Sequence, residues 1–269
     1  MSGGSTRACR TRCAVRSLAG GLAAVSLTLI VGVTGAAARQ GSSTASSAQI
    51  TVYAAASLTN VFPQIDATPR YSFAGSNTLA AQISQGAPAD VFASANMTLP
   101  NQLFAKGLVS KPIVFTRNTL VVVVPKSNPA GIKTVYDLRK PGTKLVIAGP
   151  AVPVGAYTLQ ILKNMGITSV LQNVVSRETD VREVLVKVAL GEADAGFVYS
   201  TDAKTVPGQV TVLKLPAWAQ PKVQYGIAVV SASPNKQDAQ RFVARVLSKA
   251  GQAKLIAAGF LPRVKPKGK

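Results

Sequence analysis

The chain has 269 residues and a formal charge of +20, with 47% apolar and 15% charged residues, two cysteines and no histidine. That length and apolar content exclude a disordered polymer and allow one large or two medium domains with real cores. The lack of histidine excludes a Ser-His catalytic pair.

Residues 1–38 read as a signal peptide. Four arginines (Arg7, Arg10, Arg12 and Arg16) precede an apolar run over 18–33, and Ala36-Ala37-Ala38 offers small residues to a signal peptidase. The run is short and diluted for a permanent span, and an uncleaved anchor is the alternative. Cys9 and Cys13 lie before the run, so the mature chain is expected to hold no disulfide or thiolate site. Ser-rich residues 39–49 read as a linker, and the protein is expected to be exported to the periplasm or another extracytoplasmic compartment. Beyond the four leader arginines, 26 of the 30 basic residues face 10 acidic ones. This surface attracts anions in general. No zinc spacing, helix-turn-helix or aromatic–basic RNA motif accompanies it, so no nucleic-acid partner is expected.

From Ile50 onward strands and helices alternate, which predicts an α/β fold with mainly parallel sheets. Ile50, Val52 and Tyr53 begin a strand that runs through three alanines to Ser57, a suitable N-cap. A short helix over 60–67 contains Pro63. A strand over 71–74 leads through Gly75-Ser76-Asn77 into a helix with Leu79, Ala80 and Ile83 on one face. A strand over 89–94 and a helix over 99–106 follow, then a continuous apolar run over 119–124. The second unit begins with a strand over 144–148, a turn over 149–155 containing Val154, and a helix over 156–165. Val181, Val184, Leu185 and Val188 share a helix face, and Asp180 with Glu183 makes a capping-box pattern at its start. A strand over 195–199 ends at Tyr199, another covers 223–231, and helices are expected over Lys236–Leu247 and 252–258.

Long strands at Leu120–Pro125 and over 223–230 predict two lobes with two crossovers: 50–120 plus 228–262 in lobe 1, 121–227 in lobe 2, and a basic tail over 263–269. A ligand would lie between the lobes, beyond the strand carboxyl ends. A single serine-capped strand–helix junction is by itself only a junction. The same construction recurs three more times, each placing unpaired backbone N–H groups at a helix start, where an anion binds.

Ala54-Ala55-Ala56-Ser57-Leu58-Thr59-Asn60, Phe73-Ala74-Gly75-Ser76, Gln82-Ile83 with Gly86-Ala87-Pro88-Ala89-Asp90, Asp180-Val181-Arg182 and Val198-Tyr199 resemble the motifs of the periplasmic molybdate-binding proteins of ABC importers. The resemblance spans about 50–261 in the same order. It implies a type II periplasmic-binding-protein fold, two αβ lobes joined by two hinge strands, and capture of molybdate or tungstate for an ABC transporter permease. It further implies ligand contacts from the hydroxyls and N–H groups of Ser57 and Ser76, the N–H groups of Val154 and Val181, and the Tyr199 hydroxyl. No cofactor, no catalysis, no free metal cation and a monomer are expected. Val154 stands where alanine is common in the family, Asn77 where Ser or Gly is, and the 57–76 segment is short.

An all-donor site suits a fully deprotonated oxyanion, which only accepts hydrogen bonds; sulfate shares that property and is the alternative ligand. A serine hydrolase is the remote alternative, without a histidine or a Ser-x-x-Lys spacing near Ser57 or Ser76. Asp90 is expected to brace the Gly86–Pro88 turn, Arg182 to be solvated or bridging, Trp218 to pack, and the valine-rich strands to be core.

Overall fold

The computed structural model describes residues 49–263. The expected signal peptide, all but the last residue of the linker and all but the first of the tail lie outside them. Two five-stranded sheets organise the fold. The chain enters the first sheet with β1 (Thr51–Ala55), α1 (Phe62–Ile65), β2 (Arg70–Ala74), α2 (Ser76–Ser84), β3 (Val91–Ser94), α3 (Thr98–Ala105) and β4 (Ile113–Asn118). The second sheet is built from β5 (Leu120–Pro125), β6 (Leu145–Ala148), α4 (Pro153–Asn164), β7 (Val174–Glu178), α5 (Val181–Ala189), β8 (Ala195–Tyr199), α6 (Ser200–Ala203) and β9 (Val210–Lys214). The chain then returns through β10 (Val223–Val229) and closes with α7 (Lys236–Leu247) and α8 (Lys249–Ala257). No helix among the described residues is long and apolar enough to cross a membrane.

The strand orders are β2-β1-β3-β10-β4 and β7-β6-β8-β5-β9. Within each sheet the helix-connected strands pair in parallel, as expected of βαβ units. The crossover strands add antiparallel pairs, β10 with β3 and β4 and β5 with β8 and β9. Both sheets are therefore mixed, because a strand that arrives from the other lobe enters from the opposite end.

The pairing also moves the lobe boundaries. Leu120 already pairs with Tyr199 in the second sheet, so the outward crossing is the single residue Thr119. Val223 already pairs with Asn118 in the first sheet, so the return crossing lies before 223 and not at 227–228. β4, β7 and β9 were not expected from sequence. All three are edge strands that lack the apolar run of β5 or β8: β7 and β9 are mostly exposed or half-buried, and β4 mixes buried with more exposed positions, Thr116 and Asn118 among the buried ones.

β5 is buried along its whole length, and α5 covers that sheet with Val181, Val184, Leu185 and Val188. Burying each such side chain contributes about 1.5–3 kcal/mol. In the first lobe the truncated α1 is anchored by Phe62, whose ring meets Tyr71, Phe115 and Phe242 at 5.6–6.2 Å. Asp90 is structural, but its carboxylate accepts from the Thr51 N–H at 2.7 Å and the Ser233 hydroxyl at 2.6 Å. It therefore ties the start of β1 to the loop before α7 and does not brace the Gly86–Pro88 turn. Trp218 does not pack as expected; it is 65% exposed on a short 3-10 turn.

Candidate functional site

Three helices point their N-termini at one cavity between the sheets. α2 begins at Ser76 with Gly75 as its N-cap, α4 at Pro153 and α5 at Val181. Their first residues line the cavity together with Ser57 and Tyr199. Ser57, Ser76, Val154, Val181 and Tyr199 thus surround one space, although they come from both lobes and span 142 positions of the chain. Ala55, Ala56, Ala74 and Ala95 supply much of the remaining wall. About 10 Å³ is open to the centre of a water-sized sphere, room for a compact ion and far below the volume of an organic-ligand pocket.

α4 starts three residues earlier than its sequence suggests. Two prolines and two glycines between 149 and 155 read as a loop, but Pro153 occupies the first helical position, where its missing N–H costs nothing. Gly155 follows for a steric reason: a Cβ there would come within 2.1 Å of the Gly149 carbonyl and 2.5 Å of that of Ala148. Val154 therefore sits in the first turn of a twelve-residue helix, where its N–H precedes the first intrahelical bond, Ala156 N–H to the Val152 carbonyl.

At α5, Asp180 is the N-cap and accepts from the Arg182 and Glu183 N–H groups at 2.6 and 3.2 Å. Glu183 reaches back to the N–H and hydroxyl of Thr179, both at 2.8 Å. The Val181 N–H, at the first helical position, has no intrahelical acceptor. Asp180 itself lines the cavity, and desolvation, against the pull of its two N–H donors, raises its pKa. This carboxylate was not among the expected wall residues.

Ser57 is not an N-cap. It lies inside a 3-10 turn, Ala56–Leu58, whose N-cap residue is Ala55. Its hydroxyl meets that of Tyr225 at 2.9 Å, and Tyr225 in turn receives the Asn118 side-chain amide at 3.4 Å. The Ser76 hydroxyl accepts from the Ala95 N–H at 3.1 Å, which leaves its own proton to donate. Tyr199 is 1% exposed, and its hydroxyl has no hydrogen-bond partner among the described residues. Burial, with Tyr225, Tyr157 and Asp202 nearby, pushes its pKa well above 10, so it stays a neutral donor.

Arg182 turns away from the cavity and bridges. It pairs with the fully buried Asp202 at 2.7 Å, in an alignment short of a hydrogen bond, and donates to Thr205 at 3.1 Å and to Asn60 of the first lobe at 2.8 Å. Burial raises the Asp202 pKa to about 7 against the opposing pull of Arg182. No lysine, arginine or histidine lines the cavity. Asn118 and Tyr225 escaped the sequence reading. For Asn118 the one available signal was the polar run Thr116-Arg117-Asn118-Thr119 between Ile113-Val114-Phe115 and the apolar 120–124.

Residues 50–261 match the family model of the bacterial extracellular solute-binding proteins. The molybdate-binding protein ModA of Mycobacterium tuberculosis is 40% identical over 221 residues, covering 78% of this chain and 84% of that protein. The Escherichia coli molybdate-binding protein ModA is 34% identical over 225 residues, 78% of this chain and 88% of that one. Among solved structures, the Azotobacter vinelandii periplasmic molybdate-binding protein superposes with a TM-score of 0.71 at 22% identity, covering 80% of this chain and all of that one.

Proposed function

Because this chain belongs to the bacterial extracellular solute-binding protein family, we propose that its cavity captures molybdate or tungstate between the two lobes for delivery to an ABC importer. Ser57, Ser76 and Tyr199 donate from their hydroxyls, and Ser57, Ser76, Val154 and Val181 from their backbone N–H groups. The protein acts outside the cytoplasm as a monomer, without cofactor or catalysis. The relatives named above carry molybdate in their names and match most of the chain, which supports this choice of anion.

The observation that carries the reading is the Tyr199 hydroxyl, buried in the cavity wall without a protein acceptor. Leaving such a donor unpaired costs about 1–3 kcal/mol. A ligand with acceptor oxygens removes that cost, and the three helix N-termini around it favour negative charge. A dianion that bears no proton needs no acceptor from the protein. Hydrogen phosphate does, and the one carboxylate in the wall is Asp180, whose Oδ1 is taken by two N–H groups, so that only its Oδ2 could accept that proton. Catalysis by Ser57 is disfavoured because no basic side chain lines the cavity to take its proton. Sulfate is the second reading, since it too is a pure acceptor.

A melting scan with molybdate, tungstate, sulfate and phosphate tests this. Saturation 100-fold above Kd stabilises by about 2.7 kcal/mol. Molybdate and tungstate should raise Tm most, and phosphate least. Sulfate in first place would establish the second reading, and no shift with any of them would remove both.

A further inference from the structure

The Ser57 hydroxyl is the end of a hydrogen-bonded chain whose direction is fixed from its far end. Asn118 closes β4, one residue before the crossing. Its side-chain oxygen accepts from the Thr119 N–H at 2.9 Å and the Ser200 hydroxyl at 3.1 Å. The amide nitrogen must therefore face the other way, where it donates to the Thr201 hydroxyl at 2.9 Å and, at 3.4 Å, to that of Tyr225. Tyr225 is fully buried, its ring held by Phe115, Tyr199 and Phe260 at 5.5–6.1 Å. Its hydroxyl, already an acceptor, has one proton to place, and Ser57 is the acceptor in reach at 2.9 Å. The reverse assignment, Ser57 donating to Tyr225, would strand the buried Tyr225 proton. Burial pushes the Tyr225 pKa well above 10, so that proton is present throughout the physiological range.

We propose that Asn118 and Tyr225 are positioning residues for the anion: they compel Ser57 to turn its hydroxyl proton into the cavity. The inference rests on the anion-binding reading and deepens it. Ser200 and Thr201 begin α6, directly after Tyr199, so a single amide also ties Ser57 of the first lobe to the strand end carrying the donor of the second. The chain makes Ser57 a committed donor, with one lone pair occupied by Tyr225 and its proton free for the cavity. The cavity thereby favours oxyanions without a proton, even though no residue there bears a positive charge.

Calorimetric titration of the mature protein with molybdate tests this through a double-mutant cycle. Tyr225→Phe keeps the ring and removes the relay; it should weaken binding about 5- to 20-fold. In a Ser57→Ala background the same change should alter affinity by less than about twofold, since Tyr225 then has nothing to orient. Asn118→Asp provides a second handle should Tyr225→Phe fail to fold. The new carboxylate takes the Tyr225 proton, reverses the chain and turns a Ser57 lone pair toward the anion, so binding should fall further than in Ser57→Ala. Additive losses in the cycle, or an Asn118→Asp protein that binds like the parent, would overturn the proposal while leaving molybdate binding intact. A parent that binds none of molybdate, tungstate or sulfate would instead overturn the functional reading, and this inference with it.

Discussion

The Val181 side chain is buried in the core with Val184 and Leu185, so on the proposed reading a ligand would meet its backbone and not its side chain. Val181→Pro is therefore a selective deletion. Proline suits the first helical position, and Asp180 before it is extended at φ −153°, ψ 177°, as a residue preceding proline prefers. The variant should fold and bind molybdate about 10- to 150-fold more weakly, whereas Val181→Ala should bind nearly as the parent does. Equal affinities by calorimetry would place that N–H away from the ligand. At the hydroxyls, Ser76→Ala and Tyr199→Phe each delete one donor and should each cost roughly 1.5–3 kcal/mol of binding. They should part in the ligand-free state: Tyr199→Phe removes an unpaired polar atom and should raise Tm, while Ser76→Ala strands the Ala95 N–H and should lower it. Ser76 stood out in the sequence as a helix start among small residues, whereas Tyr199, after Phe197 and Val198, was singled out only by the family resemblance. Tyr225 was singled out by neither, because its hydroxyl matters only through Ser57, 168 positions away.

Among the elements, those with a strong period were legible, and three of the four edge strands were not. α7 begins and ends where its Ala239, Phe242, Val243 and Val246 face predicts. β7 and β9 went unseen because they bury too little to impose a pattern, and β4 because its buried positions include the polar Thr116 and Asn118. The start of α4 was masked by residues chosen for the close approach of backbone at Gly155. The joint between α5 and α6 carries a charge pair, Arg182 with Asp202, and its pH dependence has a definite sign. Asp202 takes its proton near pH 7 in the folded protein and near 4 when unfolded. The folded state then holds the extra proton between those values, so this group's contribution is largest below pH 4 and declines as pH rises to 7, by up to roughly 4 kcal/mol. In urea melts, the parent should lose stability relative to Asp202→Asn across that window and run parallel to it above pH 8. A difference independent of pH would mean that Arg182 holds the carboxylate ionised throughout.

At the scale of the whole molecule, the two lobes touch where there is no room for a methyl group. Gly75 has an ordinary φ of −56°, so its backbone does not demand glycine. A Cβ there would instead lie 2.3 Å from the carbonyl oxygen of Thr179 in the other lobe. Beside it, Arg182 reaches across to Asn60. Gly75→Ala should therefore fold normally yet resist this arrangement of the lobes. Molybdate should shrink the radius of gyration of the parent in small-angle scattering, but shrink that of Gly75→Ala less and bind it more weakly. Identical contraction in both would relieve Gly75 of this role. The contrast between a cavity walled without basic side chains and a chain that, beyond its leader arginines, carries 26 basic against 10 acidic residues has a further, kinetic consequence. Surface charge acts over a Debye length of about 8 Å in physiological salt and accelerates encounter with an anion, whereas hydrogen bonds inside a closed cleft are little screened. In stopped-flow titrations, added sodium chloride should slow molybdate association severalfold and leave its dissociation rate nearly unchanged. A dissociation rate that climbs in parallel would reveal a charged contact at the ligand. With the two rates governed separately, the basic exterior decides how often an oxyanion arrives and the hydrogen bonds of the cleft decide how long it stays.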